Sequence, residues 1–187
     1  MNAELVRSPL RVSAWKRSLI AAFERGKQDI LIVAQEPIPE LAEAIRTARM
    51  VNTKAIVTAE DVGTKVAAAL GELALECPSF AVRVVEIVCS FLTQFHRDTA
   101  TLRIETVNKA TCPKFHCDNI RMRMLCTFYG PGTEYVFNDW SEDIRRAPTF
   151  ALVFLKGKKH LKHADAVHHR SPAMHPEDKR LCVVLDF

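Results

Sequence analysis

The hydrophobic period of this 187-residue chain changes near residue 100, so no architecture built from one kind of element fits the whole of it. Before that point apolar residues recur at helical spacing. Residues 13–24 carry Trp15, Leu19, Ala22 and Phe23 at that spacing. Residues 39–50 open with proline in the first turn and set Leu41, Ile45 and Ala48 on one face. Thr58-Ala-Glu-Asp61 has the form of a capping box and predicts a helix running to about Leu75. Pro78 and Ser79 start another, to about Arg97, with Val82, Val85, Val88, Leu92 and Phe95 as its buried stripe. One early β-branched segment, DILIVA at 29–34, reads as a strand.

Beyond residue 100 the period shortens towards two. Strands are predicted over 101–107, 120–129, 133–137, 150–156, 164–169 and 180–187. Turn signals separate them: Tyr129-Gly-Pro-Gly, Asn138-Asp, Lys156-Gly-Lys and Arg170-Ser-Pro. Six short strands in so brief a stretch predict a small barrel or jelly roll with helices against its outside. The expectation is an α+β chain forming a single domain over 1–187, mainly helical over 1–100, with the β core at 101–187.

Composition narrows the function classes. Apolar residues at 48% and charged residues at 26% are ordinary for a soluble globular protein. The net charge of +4 is spread along the chain, and its densest basic run, 156–162, lacks the aromatic interleaving of a single-strand binding surface. No nucleic-acid partner is expected. No apolar run approaches the length of a membrane span, and residues 1–18 contain no apolar stretch of the kind a secretory leader needs. The six cysteines (Cys77, Cys89, Cys112, Cys117, Cys126 and Cys182) form no C-x-x-C pair, which predicts reduced thiols in a cytoplasmic protein.

Candidate chemistry centres on H-x-D. Three copies occur: His96–Asp98, His116–Asp118 and His163–Asp165. The first falls at the end of a predicted helix, where a histidine near the C-terminal dipole and a solvated aspartate are the simpler explanation. The third lies among lysines, six residues before His169, and reads as a solvated loop. His116–Asp118 immediately precedes a long strand. Residues i and i+2 on extended chain point to one face, so both side chains can reach one ion. A second imidazole follows about fifty residues later, at His168 or His169; strand neighbours face opposite sides, so only one can point inward. Two imidazoles and one carboxylate can occupy one face of a non-haem iron and leave the other open. Arg180, eleven residues after His169, opens the last strand and shares a face with Cys182 and Val184. It is the kind of group that holds a co-substrate carboxylate.

This spacing of H-x-D, a distal histidine and an arginine resembles the iron(II)- and 2-oxoglutarate-dependent oxygenases, whose fold is a double-stranded β-helix, a distorted cupin-like jelly roll. A more specific likeness is to the bacterial domain of unknown function 1826 family. It is carried by CPKFHCDNIRMRMLCTFYGPGTEYV, ALVFLKG, AVHHRSP and KRLCVVLDF, and extends to DILIVAQEPIP. Genes of that family often lie near zinc-responsive ones, a hint of metal homeostasis. Carried over residue by residue, the resemblance makes His116, Asp118 and His169 the ligands of Fe(II), with Arg180 gripping 2-oxoglutarate. Hydroxylation or demethylation of an unidentified small molecule or protein is the implied reaction. Met122, Met124, Phe128 and Val153 are expected to wall the pocket, with Tyr129 or Arg123 as further polar contacts. Cys117, between the first two ligands, is an oxidisable thiol. The rival expectation is a non-enzymatic zinc-binding protein using Cys112, His116, Cys117 and Cys126. A third is a metal-free cupin-like scaffold in which apolar helix stripes serve a homodimer instead of a core.

Overall fold

The computed structural model describes residues 17–137 and 143–187; Trp15, with the start of the first predicted helix, and the Asn138-Asp turn signal lie outside them. In chain order the elements are α1 (Arg17–Arg25), β1 (Ile30–Val33), α2 (Leu41–Ala44), β2 (Asn52–Val57), α3 (Val62–Leu73) and α4 (Pro78–Gln94). Then come β3 (Ala100–Val107), β4 (Met122–Tyr129), β5 (Glu134–Phe137), β6 (Arg145–Arg146), β7 (Leu152–Lys156), β8 (Val167–Arg170) and β9 (Arg180–Asp186). The chain is a mixed α+β structure whose strands all pair antiparallel. A six-stranded sheet runs β1-β7-β4-β9-β3-β2, and a three-stranded sheet runs β6-β5-β8.

The two faces of the larger sheet have different fates. Alternation along β4 sends Met122, Met124, Cys126 and Phe128 to one side, where they join the buried residues of α4 in a core that spans Ile20 to Leu185. Phe80 of α4 meets Phe128 edge-on, ring centroids 4.9 Å apart. The other face carries Arg123, Leu125 and Thr127. There Leu125, Val153, Leu155 and Val184 form a smaller apolar cluster with Ala147 and Val167. Met122, Met124 and Phe128 therefore do not wall the pocket; Val153 alone of the four expected residues lies on that side. Every residue of β4 is buried or half-buried, so their period shows two faces without saying which one is the pocket.

Among the helices, α4 begins at Pro78 as expected. Val88, Leu92 and Phe95 of the expected stripe are buried, but Phe80, Val84, Ile87 and Phe91 are buried with them and Val82 is 45% exposed. Every third or fourth residue along this helix is apolar on more than one face, so spacing alone did not fix the extent of the stripe. In α1, Ile20 and Phe23 are buried while Leu19 faces out. The Thr58–Asp61 box forms: Thr58 N–H donates to Asp61 Oδ1 at 2.8 Å, and Asp61 N–H to Thr58 Oγ1 at 3.2 Å. The helix predicted over 39–50 shrinks to the single turn of α2. Leu41, Ile45 and Ala48 are still buried, but Lys179 Nζ donates to the carbonyls of Ile45 and Ala48 at 3.2 and 3.1 Å, satisfying groups that a longer helix would have used.

Two strands escaped the sequence reading. β2 is an edge strand paired only with β3, with Lys54 exposed and Ile56 68% exposed, so its alternation does not separate an apolar face from a polar one. β6 is two residues long. No helix among the described residues is long and apolar enough to cross a membrane.

Candidate metal centre

The first predicted ligand pair lies on the connection between β3 and β4, and the distal histidine lies on β8 of the smaller sheet. An isolated antiparallel bridge joins them. His116 N–H donates to the His169 carbonyl at 3.0 Å, and His169 N–H donates to the His116 carbonyl at 2.9 Å. Residues facing each other across such a bridge project their side chains to the same side. The two imidazoles accordingly lie with ring centroids 4.6 Å apart. Strand alternation settles which of the neighbouring histidines does this. His169 points inward and is 6% exposed, whereas the side chain of His168 is 34% exposed and leans towards Asp165.

Asp118 completes the group. Its Oδ1 is 3.6 Å from His116 Nε2 and its Oδ2 is 3.2 Å from His169 Nε2; donor atoms of all three residues lie within 4.8 Å of one another. Asp118 is held from behind. Arg123, on the pocket face of β4, places Nη1 2.7 Å from Asp118 Oδ2, while its Nε and Nη2 clamp Asp186 at 2.7 and 2.8 Å. Burial pushes the Asp118 carboxyl up, but His169, Arg123 and His116 outweigh it and hold the group below the usual carboxylate range. Burial lowers His169, more than the neighbouring Asp118 raises it, so its imidazole is neutral at neutral pH. His116 Nδ1 lies 2.8 Å from the Lys114 carbonyl, which can only accept, so Nδ1 carries a proton and Nε2 is the nitrogen turned towards Asp118.

The backbone around Asp118 is braced by the start of the β7–β8 connection. Lys158 N–H donates to the Asp118 carbonyl at 2.8 Å and Lys159 N–H to that of Ile120 at 3.0 Å. This approach requires glycine at 157, where a Cβ would sit 2.2 Å from the Ile120 oxygen and 2.9 Å from that of Asp118.

Arg180 opens β9, 3% exposed, and lines the same pocket as His116, Asp118 and His169, a space of about 180 Å³. Its Nε donates to the Pro131 carbonyl at 2.9 Å, and its Nη2 lies 3.0 Å from both Thr127 Oγ1 and Thr133 Oγ1. No carboxylate pairs with it among the described residues. The Tyr129-Gly-Pro-Gly turn makes this cradle possible. Gly130 has φ +80°, and a Cβ there would meet the Lys179 carbonyl at 2.3 Å. Sequence reasoning took this segment only as a turn, and it passed over Glu105, a buried carboxylate in the same pocket.

The family model described as "Protein of unknown function (DUF1826)" matches residues 3–186. The chain belongs to that family. No curated protein matches the sequence of this DUF1826 member. Solved structures of similar fold include a dioxygenase for auxin oxidation in rice, at 13% identity, with 91% of this chain and 76% of that one covered and a TM-score of 0.53. Another is JOX2, solved in complex with 2OG, Fe and JA, at 11% identity, covering 90% and 70% of the two chains with a TM-score of 0.51. At these identities the likeness is one of fold.

The other candidate residues of the DUF1826 chain go elsewhere. His96 has φ +49° and is exposed at the end of α4, as expected. His163 is not the solvated loop residue that its lysine neighbours suggested. It packs beside Asp29, whose carboxylate also accepts the N–H groups of Ala164 and Ala166 at 3.0 and 2.7 Å. The four-residue zinc set does not assemble: strand alternation sends Cys126 to the helix side of the larger sheet, and the donor group His116–Asp118–His169 is the one that forms among the described residues. Cys117 turns away, 3.8 Å from His163 Nε2. Burial, aided by the Asp118 charge, pushes its thiol up to about 11, which makes it a poor thiolate and slow to oxidise at neutral pH. Tyr129 packs against the helix-side core, so of the two further polar contacts expected, Arg123 is the one at the site.

Proposed function

We propose that this chain is an iron(II)- and 2-oxoglutarate-dependent oxygenase, with its two sheets acting as a double-stranded β-helix around the site. The observation that carries the reading is one pocket holding a two-imidazole, one-carboxylate donor group beside a buried arginine that no carboxylate pairs among the described residues. The donor set fits the ion. Asp118 Oδ2 is fully buried, and although Arg123 and His169 approach it, neither is aligned as a full hydrogen bond, so an acceptor remains unused at the centre of the group. Two imidazoles and a carboxylate suit iron(II) and leave positions open.

His116, Asp118 and His169 would hold the metal, which together with 2-oxoglutarate and dioxygen supplies the oxidising power for hydroxylation or demethylation. The protein's own contributions are positional. Lys114 fixes the His116 tautomer, and Arg123 holds the Asp118 carboxylate in place and ionised. Arg180, already oriented by Thr127, Thr133 and Pro131, keeps Nη1 available for the distal carboxylate of the co-substrate. Leu125, Val153 and Val184 keep that side of the pocket dry.

The test is anaerobic titration of the iron(II)-loaded protein with 2-oxoglutarate, followed by oxygen and measurement of succinate. A new visible absorption band and slow succinate release are expected for the wild type, and neither for His116→Ala. Failure of the wild type to bind 2-oxoglutarate, with Arg180→Leu behaving identically, would sink the reading.

A further inference from the structure

Resting on the oxygenase reading, we propose that Glu105 is the substrate-recognition residue of the pocket and that the substrate presents a protonated nitrogen, an ammonium or guanidinium group, to its carboxylate.

Glu105 is 4% exposed, and its Oε2 is fully buried with no hydrogen-bond partner among the described residues. Four arginines line the same space, yet among the described residues none pairs with it; Arg170 donates to Glu134 at 2.8 Å. Arg123 is committed to Asp118 and Asp186, Arg180 to two threonines and a carbonyl, and Arg103 lies 3.9 Å from Asp186. An unpartnered buried carboxylate oxygen is costly, and a bound ligand is one way to complete it. Arg180 stands on the neighbouring strand, opposite Val107, but its guanidinium is turned away from β3 towards Thr127 and Thr133. Glu105 is in register with Cys182, and Cys182 with Thr127, the threonine that orients Arg180. Its backbone is thus two strands, roughly 10 Å, from that of Thr127.

Among the described residues the pocket therefore holds an arginine with no carboxylate partner and a glutamate with an unpartnered oxygen. A dicarboxylate co-substrate answers the first and leaves the second. A neutral donor would satisfy one oxygen of Glu105 but leave its charge unbalanced; a protonated nitrogen answers both. The volume, about 180 Å³, is below the roughly 300 Å³ of typical ligand cavities, which favours a slender alkyl-ammonium or the tip of a basic side chain over a fused ring system.

The test uses the full chain and n-butylammonium and methylguanidinium as probes, with n-butanol and butyrate as neutral and anionic controls, read by saturation-transfer NMR. Both cations are expected to bind about tenfold tighter than either control, and Glu105→Gln to erase that preference. In parallel, calorimetry of the Mn(II)-loaded chain should give 2-oxoglutarate affinities within about twofold for wild type and Glu105→Gln. Loss of 2-oxoglutarate binding in the wild type sinks the oxygenase reading; its retention without any cation preference sinks only the present one. A second readout needs no ligand. Removing an unpaired charge should raise the melting temperature of the free protein, by about 2 °C or more for Glu105→Gln. A lower melting temperature would identify Glu105 as a structural partner and overturn the proposal.

Discussion

Strands β4 and β9 present two opposite surfaces from the same run of residues. Towards the helices they offer Met122, Met124, Phe128, Leu181, Val183 and Leu185, a dry layer in which shape complementarity does the stabilising. Towards the smaller sheet they offer Arg123, Thr127, Arg180 and Asp186, whose buried charges are costly unless each finds a partner. A period of two lets one strand serve both ends. Substitutions on the helix side should act on stability and leave ligand binding intact in the molecules that remain folded; substitutions on the pocket side should affect binding out of proportion to stability.

Phe128→Ala is the strongest way to break the helix side. It removes the ring that Phe80 meets edge-on and should cost about 3–5 kcal/mol in urea denaturation, with the metal affinity of the folded fraction unchanged. Arg123→Leu tests the other face. Losing the clamp on Asp186 and the brace behind Asp118 should cost about 1.5–3 kcal/mol. It should also weaken metal binding by roughly 10–100-fold in calorimetry. If Arg123→Leu changed stability alone, the separation of the two faces would fail.

Gly157→Ala sharpens the contrast, because its residue touches neither face. The added methyl must displace the 118–120 backbone, so a loss of about 1–3 kcal/mol should come with weaker metal binding, whereas a remote glycine such as Gly63, with open space around it, should tolerate the same change. The smallest effect is in pH dependence. The folded state holds the Asp118 carboxyl below its unfolded value, so its contribution is present above the ordinary carboxylate range and lost as pH falls through the lower folded value. Acid melts of the metal-free protein should therefore show a shallower decline for Asp118→Asn than for the wild type over that window.

Much of this was legible in the chain. His116–Asp118 stood out because it abuts a strand, and Arg180 because it opens one. The choice of His169 over His168 was not legible, since it depends on the bridge to His116, a pairing between segments about fifty residues apart. Glu105 was invisible for a related reason. In TLRIETV its side chain alternates with apolar neighbours, the pattern of a solvent-facing glutamate, and only the fold turns that face into the wall of a pocket. The misplacement of Met122, Met124 and Phe128 has the same origin: periodicity separates two faces, and tertiary contacts decide what each one meets.

The reciprocal backbone bridge between His116 and His169 has a thermodynamic corollary. Two of the three donors enter from the segment leading into the large sheet and the third from the small sheet, so an ion seated among them would rivet one sheet to the other. Metal binding and the pairing of the two sheets would then be thermodynamically linked.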